Sequence, residues 1–380
     1  MNRPAHRARR GDGAPPPRTF SVALARALAP LLAATSAAAG CRSTTPEVQA
    51  ATAAPHVIVG QRRCMGTQCT LSAWHHDDDL ARGAFARAFD EMDRLELLMT
   101  PWRATSDVSR LNAAAGGEPL AVHPDTMAVL AKSRWVSELT GGAFDITIGV
   151  FRGLWKFDED NDGTIPARAD VVSRLKLVDY RDVILDPANS TARLRRRGQA
   201  INLGGIAKGY AVDAAVKILR DAGLRDFLVH AGGDLFASGR RGDRPWTVGI
   251  QDPRGPRPCP PETAQDCTFA DLALTDAALP TAGDYERFII REGRRYHHIL
   301  DPRTGFPAAR SRSVTLRAKD AFTADALDTA LFVVGPERAL TILEGLPGVD
   351  GIIVGADNRV HVSPGLKADL RRQRPPSDGI

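Results

Sequence analysis

Four stretches of the chain have the pattern of helices that bury one face, and turn residues bound them. In the first stretch, Phe85, Phe89, Met92 and Leu95 recur at helical spacing. The third stretch ends at Gly223, a residue type that commonly follows the last helical turn. We therefore predict helices over Leu80–Met99, Asp125–Leu139, Ala207–Ala222 and Ala321–Val334.

Short apolar or alternating segments between these helices indicate strands. Val183–Leu185 and Ala192–Leu194 are close enough in sequence to form a hairpin. Hairpin-linked strands with grouped helices favour an α+β fold of mainly antiparallel strands over a parallel doubly wound sheet. The other predicted strands are His56–Gly60, Thr67–Ala73, Phe227–His230, Leu235–Ser238, Thr247–Ile250, Phe288–Arg291, Tyr296–Leu300, Gly351–Val354 and Val360–Val362.

The first forty residues differ in composition from the rest of the chain. They hold six arginines and one aspartate, which accounts for the whole formal charge of +5. Ala27–Gly40 is uncharged and rich in Ala and Leu, too short to span a bilayer but typical of a signal peptide. Because the remainder is formally neutral, its charge gives no reason to expect a nucleic-acid partner.

Small residues precede Cys41, a pattern that resembles a lipoprotein processing site. On this hypothesis residues 1–40 are a signal peptide, a lipid on Cys41 binds the membrane, and 41–55 form a polar tether. An ordinary signal peptide cut nearby, with Cys41 incidental, is the alternative. We expect one domain over 56–363, a frayed polar tail over 364–380, and a location on the periplasmic side of the cell envelope, with the inner membrane favoured.

Export would leave four further cysteines in an oxidising compartment. Cys259 and Cys267 flank a proline-rich insert and can close a small surface loop. Cys64 and Cys69 are five positions apart in what we take as one segment, so we do not expect them to pair. No cysteine spacing suggests a zinc site.

Asp325 and Thr329 stand four positions apart within the last predicted helix. A carboxylate and a hydroxyl at this spacing share a helix face. Two oxygen donors suit Mg²⁺, which keeps most of its coordination sphere for waters and phosphate oxygens. A solvated helix face is the alternative interpretation of the pair.

The segment INLGGIAKGYAVD, Ile201–Asp213, leads an apolar strand through Gly204-Gly205 into a helix that carries Lys208. Glycines allow the backbone to approach an anion, and a helix start supplies unpaired N–H groups. The sequence matches neither the Walker A pattern nor the dinucleotide-binding glycine pattern. The segment is thus a candidate phosphate site, with a simple tight turn as the alternative.

In YHHILDPRTGFP, Tyr296–Pro307, a predicted strand delivers two adjacent histidines. Strand alternation places His297 and His298 on opposite faces, so one of them can face a cleft. A histidine there could accept or donate a proton near neutral pH. A core or surface histidine is the alternative for either residue.

Nine segments, in this order, resemble the ApbE family, the FAD:protein FMN transferases. Each is weak alone, but together they cover the chain from about Met65 to Val362. The segments are CMGTQCTL (Cys64–Leu71), MTPWRATSDVSRLN (Met99–Asn112), GGAFDITIG (Gly141–Gly149), INLGGIAKGYAVD, VHAGGDLFASG (Val229–Gly239), WTVGIQDPR (Trp246–Arg254), PTAGDYERF (Pro280–Phe288), HHILDPRTG (His297–Gly305) and ADALDTAL (Ala324–Leu331).

The resemblance implies an ApbE-like fold with an FAD cleft between two subdomains. It implies a magnesium ion held by Asp325, Thr329 and the backbone carbonyl of Gly205, with His298 as the catalytic residue. The FMN half of FAD, the substrate, would pass to a threonine or serine of a periplasmic redox protein, with release of AMP. The FAD-binding positions that it implies are Met65, Trp102, Ala143, Phe144, Asp145, Asn202, Lys208 and Ile299.

Three positions depart from the family pattern. Asn202 stands where the family usually has Asp, Trp102 where Tyr is common, and Ala282 where Ser is common. Asparagine can still form hydrogen bonds but adds no charge. Two other functions remain open from the sequence: an FAD pyrophosphatase that uses water as the acceptor, and a flavin-binding lipoprotein without catalysis.

Overall fold

The computed structural model describes residues 54–157, 160–259 and 261–379. The expected signal peptide, Cys41 and nearly all of the tether lie outside this part of the chain. The described helices are α1 Asp78–Met99, α2 Asp107–Ala113, α3 Pro124–Thr140, α4 Arg168–Leu175, α5 Ala207–Asp221, α6 Ala321–Val334 and α7 Pro336–Glu344.

The strands are mostly short and belong to five separate sheets. Their bounds are β1 His56–Cys64, β2 Thr67–His75, β3 Leu120–Ala121, β4 Val183–Asp186, β5 Thr191–Leu194, β6 Phe227–Ala231, β7 Asp234–Ser238, β8 Trp246–Gln251, β9 Thr268–Leu274, β10 Ala277–Ala278, β11 Thr281–Gly283, β12 Phe288–Arg291, β13 Arg294–His297, β14 Ser311–Arg317, β15 Asp350–Gly355, β16 Val360–Val362 and β17 Leu370–Gln373.

Every strand pair within these sheets is antiparallel. The largest sheet has the order β1-β2-β6-β7-β10, and a second has the order β11-β14-β15-β16. Smaller sheets are β17-β9-β8, β3-β5-β4 and the hairpin β12-β13. The predicted α+β class with mainly antiparallel strands is confirmed.

The four predicted helices are confirmed to within two residues at each end. Local chemistry explains the boundaries, because Asp77 accepts a hydrogen bond from the Leu80 N–H at the start of α1. Helix α3 ends at Gly141, whose φ of +63° a glycine adopts without strain. The predicted hairpin of β4 and β5 is also confirmed.

The main core lies where helices pack between the two largest sheets. Helix α1 packs on β1 and α5, and α6 lies against α5, β11 and β14. Most residues of α6 are buried, as expected of a helix covered on nearly all sides. Among the described helices, none combines the length and the apolar character needed to cross a bilayer.

Two expectations about the cysteines had different outcomes. Cys259 and Cys267 form a disulfide, as the flanked insert predicts. The expectation that Cys64 and Cys69 stay unpaired is wrong, because they also form a disulfide. The two cysteines lie on β1 and β2, which a two-residue turn brings side by side, and not on one continuous segment.

The expectation of a frayed tail is also wrong for the described residues. Leu370–Gln373 pairs with β9, and the Ser377 backbone N–H donates to the Asp252 carboxylate. A polar strand at a sheet edge gives little apolar signal, so its pairing is invisible in the sequence pattern. The predicted strand Tyr296–Leu300 begins two residues earlier and ends at His297, where the chain turns away.

Candidate active site

The candidate site is built where α5 and α6 cross. At Gly209, near the start of α5, an added Cβ would lie 2.3 Å from the Ala321 carbonyl oxygen. Any larger residue would therefore force the helices apart. The Gly209 N–H donates to Asp325 Oδ2 at 2.7 Å, and the Asp213 carboxylate accepts from the first two N–H groups of α6.

Lys208 lies beside three buried carboxylates at this crossing. Its ammonium forms an ion pair with Asp234 and lies 3.5 Å from Asp325 Oδ1. One ligand oxygen from each of Asp234, Asp325 and Asp328 lies within 4.8 Å of the others. We call these four residues, Lys208, Asp234, Asp325 and Asp328, the charge cluster.

With its three carboxylates ionised, the charge cluster has more negative than positive charge. Burial opposes the charge of Lys208, but the Asp234 and Asp325 carboxylates outweigh burial and raise the pKa of its ammonium. Burial, together with the nearby Asp325 charge, raises the pKa of Asp234 to about 7 and that of Asp328 well above its ordinary value. One ammonium thus does not neutralise three carboxylates, and a divalent cation would.

Thr329 and Gly205 lie next to this cluster. A Cβ built on Gly205 would lie 3.4 Å from Thr329 Oγ1 and 3.4 Å from Phe144 Cε2, so these three residues meet. The Thr329 hydroxyl donates to Asp328 Oδ1 at 3.2 Å. Carboxylate, hydroxyl and carbonyl oxygens are the ligands that Mg²⁺ prefers. The residues present therefore fit a magnesium ion.

Polar side chains hold the glycine segment, Ile201–Asp213, in place. The Asn202 carboxamide oxygen accepts from the Gly204 N–H at 2.8 Å, an interaction that an aspartate could also make. Asn112 bonds both the N–H and the carbonyl of Ile201. Among the described residues, no side chain caps the start of α5, which lies within this segment. Asn202 in place of the more usual aspartate thus removes a charge and preserves the turn.

The two adjacent histidines occupy different environments. His297 is buried and its Nε2 lies 2.8 Å from the Ala308 carbonyl, inside the core. His298 is half-buried, and its Nδ1 lies 3.3 Å from the Arg287 carbonyl. A carbonyl can only accept, so this bond requires a proton on Nδ1 and leaves Nε2 as the acceptor of the neutral ring.

Burial, and then the charges of Arg287 and His297, lower the pKa of His298 well below 6.5. The Lys208 ammonium contributes in the same direction. His298 is therefore neutral at pH 7 and can accept a proton there. This is the form that a general base requires.

Met65 lies at the turn between β1 and β2. It is half-buried, and its backbone N–H donates to the Glu96 carboxylate of α1 at 2.5 Å. Trp102 is 61% exposed and lines a cavity of about 630 Å³ together with Asn112 and Ala200. The Arg152 guanidinium lies 3.9 Å from the centre of the Trp102 ring and covers one of its faces.

Three predicted FAD-binding residues are largely committed to the fold. Asp145 accepts hydrogen bonds from the Thr147 N–H, the Thr147 hydroxyl and the Tyr180 N–H. Ala143 is buried in the core. Ile299 is buried too, and its N–H and carbonyl bond His297 and Ala308 respectively. Phe144, which lies between Ala143 and Asp145 in the sequence, is buried but its ring reaches Gly205 of the glycine segment.

The structure adds functional candidates that the sequence reasoning missed. Asp328 stands three positions after Asp325, a spacing that also places two residues on neighbouring parts of a helix surface. That spacing could have drawn attention to Asp328. Asp234 begins β7, and only the fold brings it to Lys208.

Comparisons with known proteins agree on one family. The sequence model of the ApbE family matches residues 65–353. An FAD:protein FMN transferase of Treponema pallidum is 35% identical over 323 residues, covering 81% of this chain and 87% of the relative. One from Klebsiella pneumoniae is 31% identical over 300 residues, covering 79% and 89% respectively.

Solved structures give the same result. The crystal structure of the ApbE protein of Thermotoga maritima has a TM-score of 0.74 and 32% identity, covering 83% of this chain and all of the other. The flavin transferase ApbE of Vibrio cholerae has a TM-score of 0.73 and 25% identity, with the same coverage.

Proposed function

The chain belongs to the ApbE family and is a flavin transferase, and we propose that it moves the FMN half of FAD to a threonine or serine of another protein. In this proposal the reaction depends on magnesium and releases AMP. The observation that carries the proposal is the charge cluster, which lies beside Thr329 and Gly205.

His298 supports the proposed proton transfer. Its Nε2 has an available lone pair when Nδ1 donates to the Arg287 carbonyl. In the reaction, the acceptor hydroxyl gives its proton to Nε2 while its oxygen forms a bond to the FMN-side phosphorus. The bond from that phosphorus to the bridging oxygen breaks, and AMP leaves with the oxygen.

Negative charge grows on the phosphate oxygens during this substitution, and fixed positive groups stabilise it. Lys208 supplies one such charge, and the uncapped start of α5 supplies backbone N–H groups and a positive dipole. A magnesium ion held by Asp325, Thr329 and the Gly205 carbonyl would neutralise phosphate charge and orient the pyrophosphate. Asp328 lies close enough to strengthen the negative field that attracts the cation.

FAD itself would extend from this centre along the glycine segment. Phe144 adjoins that segment at Gly205, and Lys208 belongs to it. The cavity lined by Trp102 reaches Ala200, the residue just before the segment. The exposed ring of Trp102 has one face covered by Arg152 and offers the other face for stacking an aromatic part of the dinucleotide. We assign Asp145, Ala143 and Ile299 a supporting role, because their polar groups are satisfied or their side chains buried.

We also propose that the enzyme acts outside the cytoplasm. Residues 1–40 would direct export, a lipid on Cys41 would anchor the protein, and 41–55 would tether the catalytic domain over 56–363 on the periplasmic side of the cell envelope. The acceptor would then be a periplasmic redox protein. If Cys41→Ser leaves the protein as firmly membrane-bound as the natural sequence, the lipid anchor is wrong.

The function can be tested with the chain from residue 54 onward, FAD, Mg²⁺ and a periplasmic flavoprotein fragment with a candidate acceptor threonine. The readouts are the intact mass of the acceptor and the amount of AMP. We expect a mass gain of one FMN less water, abolished by EDTA and by a Thr→Ala change in the acceptor. Free FMN and AMP with an unmodified acceptor would instead establish a pyrophosphatase, and intact FAD would leave a flavin carrier.

A further inference from the structure

The Met65-Gly66 turn is held by more than its own sequence. Both residues have positive φ, +53° and +69°, the pattern of a two-residue type I′ hairpin turn. Asparagine or glycine commonly fills the first position, whereas methionine adopts a positive φ rarely. A backbone conformation of this kind persists where the surrounding structure holds it in place.

Two contacts provide that restraint. The Met65 N–H donates to Glu96 of α1. The Cys64–Cys69 disulfide joins the two strands directly beside the turn, because Cys64 pairs with Thr67 and Cys69 follows two positions later. Both cysteines are buried, and Cys64 Sγ lies 3.8 Å from the fully buried Met92 sulfur. The disulfide is therefore an anchored point beneath an otherwise half-exposed turn.

The same turn adjoins the loop that delivers Asp234 to the charge cluster. A Cβ added to Gly232 would lie 2.4 Å from Thr67 Oγ1, so Thr67 packs tightly on the Gly232-Gly233 loop. Cys69 on β2 also lies directly opposite Ala231, the last residue of β6 before that loop. Movement of the hairpin would thus displace both Met65 and the connection to Asp234.

We propose that the Cys64–Cys69 disulfide is a positioning element for FAD binding, which holds Met65 and the adjoining loop in the binding-competent arrangement. This inference rests on the proposed function, since it assigns Met65 to the FAD site. Reduction adds two electrons and two protons, gives two thiols, and converts a dithiol reductant to its own disulfide. The reduced protein binds FAD more weakly than the oxidised protein.

The chain contains a matched control. Cys259 and Cys267 are eight positions apart, and Cys64 and Cys69 are five apart, so both bonds close short loops with similar effects on the unfolded chain. The Cys259–Cys267 bond closes the loop of the 3-10 helix Pro261–Cys267 before β9, a segment that carries no candidate site residue. If FAD binding responded to the loss of any disulfide, removing either bond would weaken it to the same extent.

The test compares the FAD dissociation constant of the unaltered protein, Cys64→Ala/Cys69→Ala and Cys259→Ala/Cys267→Ala, with Mg²⁺ present and well below each melting temperature. We expect affinity at least tenfold weaker in the first variant and changed less than twofold in the second. At saturating FAD, kcat of the first variant should stay within about threefold of the unaltered enzyme, because positioning acts on binding. A merely structural bond would lower the melting temperature without this split.

Two further measurements keep the test decisive. If the Cys64→Ala/Cys69→Ala protein fails to fold, Cys64→Ala/Cys69→Val restores side-chain volume under α1. Amide hydrogen exchange at Met65 and Gly66 should be faster in either variant that lacks the Cys64–Cys69 bond than in the unaltered protein. If the folded variants of both disulfides bind FAD with the same affinity, this inference is wrong and the proposed function is unaffected. Absence of FAD binding by the unaltered protein would overturn the proposed function as well.

Discussion

Two buried acidic regions of this protein use the same side chain for different purposes. Asp145 is 5% exposed and accepts three hydrogen bonds from neutral donors of its own neighbourhood. Asp325 and Asp328 are each 2% exposed and share their surroundings with Asp234 and a single ammonium. The first carboxylate is satisfied by hydrogen bonds from the fold, whereas the second group has three carboxylates and a single ammonium to balance them.

Neither burial nor the direction of a pKa shift separates these regions. Burial raises the pKa of Asp145 just as it raises the pKa of Asp328. The difference lies in the partners, since neutral N–H and hydroxyl groups close one site and like charges surround the other. A buried carboxylate with its donors complete indicates a structural role, and a group of buried carboxylates with too few cations indicates a ligand site.

The largest expected effect comes from removing charge at the cluster. Asp325→Asn should lower kcat/KM for flavin transfer about 10²–10³-fold, because it removes a cation ligand and weakens charge stabilisation in the transition state. The measurement is the initial rate of acceptor modification at fixed FAD and Mg²⁺. Asp221→Asn, at an exposed position of α5, serves as the control. A fall in kcat/KM of less than threefold would contradict a functional role for the charge cluster.

The pH dependence of kcat tests the base near the cluster. Neutral imidazole accepts the proton, and the pKa of His298 lies well below 6.5. With saturating FAD and Mg²⁺, kcat should therefore stay level from about pH 8 to 6.5 and decline only below that, by about tenfold per pH unit once His298 is protonated. His298→Ala should abolish this limb together with most of the activity. An apparent pKa at or above 6.5 would contradict the assignment of His298 as a base that is neutral at pH 7.

At the structural carboxylate the expected effect is on stability. Asp145→Asn replaces one acceptor oxygen with a donor and leaves a buried N–H or hydroxyl unsatisfied. The free energy of unfolding should fall by about 1–3 kcal/mol, measured by urea denaturation. The kcat of the folded variant should stay within threefold of the natural enzyme. A large fall in kcat with an unchanged free energy of unfolding would show that Asp145 acts in the reaction and not in the fold.

The smallest effect is expected at Asn202, whose backbone N–H bonds the Ile146 carbonyl next to Asp145. Asn202→Asp keeps an oxygen acceptor for the Gly204 N–H and adds one negative charge at the glycine segment. Transfer activity should change less than about fivefold, since the turn is preserved and an added charge at an incompletely buried site is screened. Steady-state rates over a range of Mg²⁺ concentrations provide the measurement. A gain above tenfold would mean that the missing charge limits this chain.

The sequence predicted the four longest described helices well, but it missed α2, α4 and α7 and most partners of individual side chains. Helices α1, α3, α5 and α6 have clear periodicity and end signals, so their ends fell within two residues of the predictions. Strand β14 was missed because only two of its seven residues, Val314 and Leu316, are apolar, so it gives little strand signal. Helix α7 directly follows α6 at Gly335 and was also missed.

The candidate site divides in the same way. Asp325, Thr329, Gly205 and Lys208 meet as predicted from the spacing and the resemblance together. The Lys208–Asp234 pair joins residues 26 positions apart through a sheet, and such contacts leave no local pattern. The Cys64–Cys69 pairing was missed because the short turn between β1 and β2 contains Met-Gly, where a hairpin signal would be Asn-Gly.

The most direct test of the central comparison is a Mn²⁺ titration followed by electron paramagnetic resonance, with Mn²⁺ standing in for Mg²⁺ at oxygen ligands. The unaltered protein, Asp325→Asn and Asp145→Asn would be compared at pH 7.5 with FAD present. We predict saturable binding in the unaltered protein and in folded Asp145→Asn, and at least tenfold weaker binding in Asp325→Asn. Equal Mn²⁺ affinity in all three proteins would contradict the assignment of the charge cluster as the cation site.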